Sequence, residues 1–387
     1  MKRTAFLIAG LLFLSFCPLV VQAAGQEPSV SEQLAHLDVS DIRRYWETIV
    51  NEYGGFLPES EKGPLTDFLS GDKQWSPVEW LKALARYLFY ELQINGKLLG
   101  TLILLAVFST VLQSLQNAFA QQEVSKIAHA VVYMVLLLIA LNSFRLAAGY
   151  ALEAVQTMSH FIIALIPLLL ALLASSGGVV SAAFFHPIIL FLMNTTGTVV
   201  EYVTLPLLLL AALLSVVSTL SDRYKATQLA DLLNKVALGL LGIILTVFLG
   251  VMSVRGTTAA VADGVTLRAA KFVTGNFIPV VGKLFTDAAD TVVAASMLLK
   301  NAVGLVGVAV LLMIALFPAV KIFAIVIIYK LSAALLQPLG GGPVLSCLNI
   351  ISKSIAYVLA ALLIVSLMFF LSLTVMVMAG NITMMVR

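Results

Sequence analysis

Lys283, Asp287 and Asp290 fall on one face of a helix, because the first two are four residues apart and the third lies one turn further on. Opposite charges at this spacing attract one another. They sit in the stretch GNFIPVVGKLFTDAADTVVAASMLLKNAVGLVG, from Gly275 to Gly307, which also carries Lys300 and Asn301. Ionisable groups at membrane depth are costly and usually face a cavity, a partner or a pathway. Lys283, Asp287, Asp290, Lys300 and Asn301 are therefore candidates for a pathway or an interaction surface. The competing reading is an interfacial amphipathic helix whose charges sit in water. Ala288, Ala289, Ala294 and Ala295 are small enough to let another helix approach closely.

Other polar residues carry weaker signals. Glu201 lies between two apolar runs beside Tyr202, and is either a pathway residue or part of an exposed turn. Lys321 and Lys330 flank an apolar stretch and read as side chains snorkelling toward the cytoplasmic surface. His186-Pro187 reads as hydrogen-bonded structure. The Gln337–Pro343 turn, with three glycines between prolines, reads as a tight helix connection or a hinge. There is no HExxH, Walker A or GxSxG motif, and His36, His129, His160 and His186 show no metal-ligand spacing. The expectation is a protein that is not an enzyme and takes no cofactor or metal.

The composition says what must position these residues. Of 387 residues, 60% are hydrophobic and 11% charged, against about 25% charged in an average soluble domain. Lipid must be the solvent for most of this chain. Residues 25–96 hold 12 acidic and 6 basic side chains, whereas 97–387 hold 8 acidic and 15 basic. No basic run with interleaved aromatics points to nucleic acid. Lys2-Arg3, an apolar stretch over 5–20 and Val21-Gln22-Ala23 read as a signal peptide cleaved after Ala23. Cys347 is then the single remaining cysteine, which excludes an internal disulfide.

An extracytoplasmic segment, 24–96, follows. Ile42, Trp46, Ile49 and Tyr53 recur at helical spacing behind Asp38 or Ser40, and Gly54-Gly55 ends the run. Ser76-Pro77-Val78-Glu79 resembles a capping box opening a second helix, with Trp80, Leu84, Leu88 and Leu92 on one face. Apolar runs then occupy 98–115, 127–144, 161–180, 183–200, 203–220, 236–254, 293–312, 315–335 and 355–379. Most approach the ~20 residues needed to cross hydrocarbon. The 183–200 and 272–290 stretches contain Pro, Gly or charge and read as broken or re-entrant helices. The span number is therefore between six and ten.

A repeat is also legible. Lys126, Ile166-Pro167, Asn194-x-x-Gly197 and Pro206 recur as Lys235, Ile278-Pro279, Asn301-x-x-Gly304 and Pro318, and a partial third copy starts at Lys353. Repeats of this size build many membrane transporters. The expected layout is a membrane region with a first repeat at 97–234, a second at 235–352 with an amphipathic or re-entrant part at 256–300, and a last helix at 353–387. Pro167, Pro206, Pro279, Gly282, Gly304 and Pro318 are its expected structural residues. The signal peptide and basic loops place 25–96 outside. The fold class is an all-α, polytopic helical membrane protein.

The stretch Phe277–Gly307, behind a signal peptide and a short acidic segment, resembles the stage III sporulation protein AE family. Pro279, Gly282, Asp287, Asp290, Lys300, Asn301 and Gly304 match the family pattern, whereas Lys283 stands where a small residue is expected. The resemblance implies a multi-pass protein of the mother-cell membrane around the forespore, its N-terminal segment facing the intermembrane space. It implies a conduit between the two cells, with other membrane proteins of the same complex, a secretion-type ATPase and a forespore membrane protein as partners. Pore or export gate is the leading role; a standalone secondary transporter and a scaffold are the alternatives. A homo-oligomer stays open.

Overall fold

The computed structural model describes residues 39–58, 76–118, 122–219, 226–277, 281–339 and 342–385. The expected signal peptide lies outside them, as does Pro279. Among the described residues every regular element is helical. These are α1 (Ser40–Tyr53), α2 (Pro77–Ile94), α3 (Gly96–Ala118), α4 (Gln122–Ser175), α5 (Val179–Val199), α6 (Leu205–Val217), α7 (Thr227–Phe277), α8 (Val281–Leu336) and α9 (Pro343–Met385). A π-helical turn, Val200–Thr204, joins α5 to α6.

α1 forms as its spacing predicts, with Ile42, Trp46, Ile49 and Tyr53 buried. Its N-cap position is Val39 and no side chain caps it. α2 starts with Pro77 directly after Ser76, but Ser76 makes no capping hydrogen bond, so the expected capping box is not formed. Pro77 fixes the first turn without it, since its missing N–H would have had no intrahelical partner there.

The membrane part differs from nine separate runs. α4 is one helix of 54 residues that passes through Pro167, and α8 is one of 56 that passes through Pro318. An interior proline removes one backbone hydrogen bond. Breaking the helix in apolar surroundings would strand several, so the helix continues. Five helical stretches are long and apolar enough to cross a membrane: Val131–Ser175, Val179–Val217, Thr227–Met252, Asp290–Leu336 and Pro343–Ala379. Counting α2 with α3, which are bent by 50° to each other, makes six. The expected broken helix at 183–200 runs unbroken into the π-helical turn and α6. Residues 256–277 extend α7 and 281–300 open α8.

Side-chain contacts set the register. The Tyr329 hydroxyl donates to Ser143 Oγ at 2.8 Å, Lys321 stands over the Tyr150 ring, and Gly307 faces Leu165, so α4 and α8 run antiparallel. Ser352 donates to the Val326 carbonyl at 3.2 Å and Gly304 faces Val377, which makes α9 antiparallel to α8. A Cβ on Gly304 would overlap Val377, and one on Gly307 would stand 2.7 Å from Leu165. These two glycines let α9 and α4 close on α8. At one end, Tyr133 hydrogen-bonds the Val216 carbonyl and Thr219, the Ala226 N–H donates to Ser218, and Lys353 pairs with Asp231 at 3.7 Å.

Candidate functional site

α8 carries most of the residues singled out in the sequence. Gly282, Lys283 and Asp287 lie in its first two turns. Asp290 is half-buried, Lys300 is enclosed at 1% exposure, and Asn301 is exposed. Lys300 therefore turns into the bundle while its neighbour Asn301 turns out. Asp290 and Lys300 are ten residues apart, about 15 Å along the helix axis, and form separate features. Glu201 is half-buried within the π-helical turn, with exposed Tyr202 beside it. Neither an exposed turn nor a break is found there: Pro206 has no N–H to give, and a wider turn lets the helix pass it. Pro206 then lies in the first turn of α6.

Lys321 does not reach out freely to a membrane surface but is held against α1. Its ammonium donates to Glu52 Oε1 and to the Tyr53 hydroxyl, both at 3.3 Å, and stands 5.2 Å and 5.4 Å from the ring centres of Tyr53 and Tyr150. Glu52 and Tyr53 belong to the last turn of α1, so Lys321 belongs on the side of the N-terminal segment. Tyr53 stacks on Phe317 with centroids 4.0 Å apart and planes 1° from parallel. Tyr87 of α2 meets both rings edge-on, at 5.7 Å and 5.2 Å. A cavity of about 100 Å³ opens beside this cluster, lined among others by Tyr45, Tyr150, Glu153, Ile314 and Pro318. Burial, reinforced by hydrogen bonding to Glu52, pushes the Tyr53 phenol above its ordinary range, so it remains a neutral donor.

Asp263 was not legible as a functional residue. It is 1% exposed and lies on α7. Its carboxylate accepts the N–H of Val180 at 2.7 Å and of Ser181 at 3.0 Å, the first turn of α5. A helix N-terminus carries unsatisfied N–H groups and a partial positive charge. Asp263 supplies from a distant helix the cap that Gly178 cannot, and Gly177, at φ +89°, makes the turn that brings α5 to it. Among the described residues no group of three or more His, Cys, Asp or Glu could hold a metal ion.

The family model of stage III sporulation protein AE matches residues 61–380. The chain belongs to the stage III sporulation protein AE family. The stage III sporulation protein AE of Bacillus subtilis (strain 168) is 59% identical over 399 aligned residues, covering 100% of both chains. No solved structure matches. With five or six candidate spans, this AE-family chain is a multi-pass helical membrane protein of sporulation. The family match includes α2 to α8, most of α9 and the Lys300, Asp263 and Lys321 positions, and begins after α1.

Proposed function

We propose that this protein is a membrane component of the conduit joining mother cell and forespore, and acts as its pore or export gate. Membership of the AE family over the whole chain carries this reading. The enclosed Lys300, on a largely apolar stretch of α8, supports it. A charged side chain inside a membrane helix is expensive to retain and usually serves a pathway or a partner. In this reading the protein lies in the mother-cell membrane with its N-terminal segment in the intermembrane space. It works with the other membrane proteins of its complex, a secretion-type ATPase and a forespore membrane protein.

The test is deletion of the gene in its host, with a late forespore-specific reporter. Division and engulfment proceed, the reporter stays silent and the forespore shrinks; normal spores would refute the proposal. Complementation with Lys300→Met and Asp290→Asn then asks about the pathway. The expected result is assembled complex with a silent reporter. Full rescue by both variants would leave the protein a scaffold rather than a gate. Solute movement by the isolated protein in liposomes would make it a transporter that acts alone.

A further inference from the structure

We propose that α1 is a releasable clasp on α8, fastened by Lys321 and placed to hold the helix straight where Pro318 weakens it. The argument begins with Pro318. Lacking an N–H, it leaves the carbonyl of Ile314, four residues earlier, without its intrahelical donor. Missing rungs of this kind are where long helices bend. Ile314 and Pro318 both line the cavity beside the last turn of α1, together with Tyr45, Ile49 and Tyr53. Phe317, one residue before the proline, is the ring on which Tyr53 stacks. Lys321, one turn after it, reaches Glu52 and Tyr53 on α1 and lies over Tyr150 on α4. Both sides of the weak point are thus tied to α1, and one of them to α4 as well.

The fastening is of a kind that can open. The side chains of Glu52 and Lys321 are 52% and 21% exposed, so their ion pair is half in solvent and weak. The cation–π contacts add a similar amount. α1 buries one stripe, Ile42, Trp46, Ile49 and Tyr53, and turns Asp41, Arg43, Arg44 and Glu47 to solvent, so it can leave the bundle as a soluble amphipathic helix. A device in which docking of α1 and straightness of α8 favour each other must work in both directions: bending α8 loosens α1, and removing α1 frees α8 to bend.

Thiol labelling of full-length protein in native membranes tests this, in a chain whose own Cys17 and Cys347 are replaced by serine. Ile49→Cys reports on α1 and Leu311→Cys on α8; both native side chains are buried, at 5% and 1% exposure. Lys321→Met should raise the maleimide labelling rate at both positions by roughly tenfold, the combined effect of an ion pair and cation–π contacts. Charge reversal, Glu52→Lys with Lys321→Glu, should recover part of the protection that either single reversal loses. Adding Pro318→Ala to Lys321→Met restores the missing rung. It should slow labelling at Leu311→Cys again while Ile49→Cys stays fast. Unchanged labelling at Ile49→Cys in Lys321→Met would overturn the clasp, as would equal acceleration at Leu208→Cys, buried in α6 away from α8, which would mean general loosening. A response at Ile49→Cys alone would overturn the coupling to α8.

Discussion

Asp263 and Lys300 are both buried charges, and substitutions separate their expected roles. Asp263 faces two backbone N–H groups that have no other acceptor in the first turn of α5. Removing the carboxylate strands both. Asp263→Ala is expected to lower stability by about 2–4 kcal/mol, and Asp263→Asn, which keeps one oxygen acceptor, by less. Chemical denaturation in detergent micelles measures this, and equal stability of all three proteins would refute the cap. For Lys300, Lys300→Met keeps the length of the side chain and removes its charge, so folded protein should persist while reporter activity is lost. That pairing of intact fold with lost function is what distinguishes a pathway residue from a structural one.

At the scale of helices, close packing depends on which glycine is considered. Gly304 and Gly307 stand where α9 and α4 meet α8, whereas a Cβ on Gly239 of α7 would meet nothing within 4 Å. Gly239→Ala should therefore raise stability by up to about 1 kcal/mol through helix propensity alone. Gly304→Ala should lower it by about 1–3 kcal/mol, because Val377 must move. Measured side by side in the same detergent, a common sign for the two substitutions would contradict the α8–α9 register. The prolines obey a similar logic. Pro167 and Pro318 sit inside uninterrupted helices and Pro206 follows a π-helical turn, so these three prolines mark soft places in long helices, whereas Pro77 and Pro343 open theirs.

Several helices are longer than a membrane is thick. At about 1.5 Å per residue, α4, α7 and α8 each extend some 75–85 Å, while hydrocarbon is about 30 Å deep. Val131 and Ile163 are both exposed on α4, at 55% and 41%. Their 32-residue separation is about 48 Å, which would fit within the hydrocarbon only at a tilt beyond the usual range of about 0–40°. A lipid-confined photoreactive probe should therefore label one of these positions and spare the other. Labelling of both would show that α4 lies strongly inclined or bends between them. The half of the bundle that is spared still presents apolar side chains, so in the cell neighbouring protein is expected to cover it.

Composition and periodicity alone determined that this is a helical membrane protein with a small amphipathic segment before it. Apolar content and one-sided spacing are local quantities, and they carry through into α1 with the same four residues buried. The Phe277–Gly307 stretch carried the resemblance to the family that the match over residues 61–380 shows. Helix continuity was decided elsewhere. Whether a chain breaks at Pro167 or Pro318 depends on whether neighbouring helices make a break more costly than a missing hydrogen bond. Partners of the buried charges were equally out of reach. Lys321 meets Glu52 across 269 positions and Asp263 meets Val180 across 83. Only antiparallel packing of the long helices, and the docking of α1 against them, brings such groups within bonding distance.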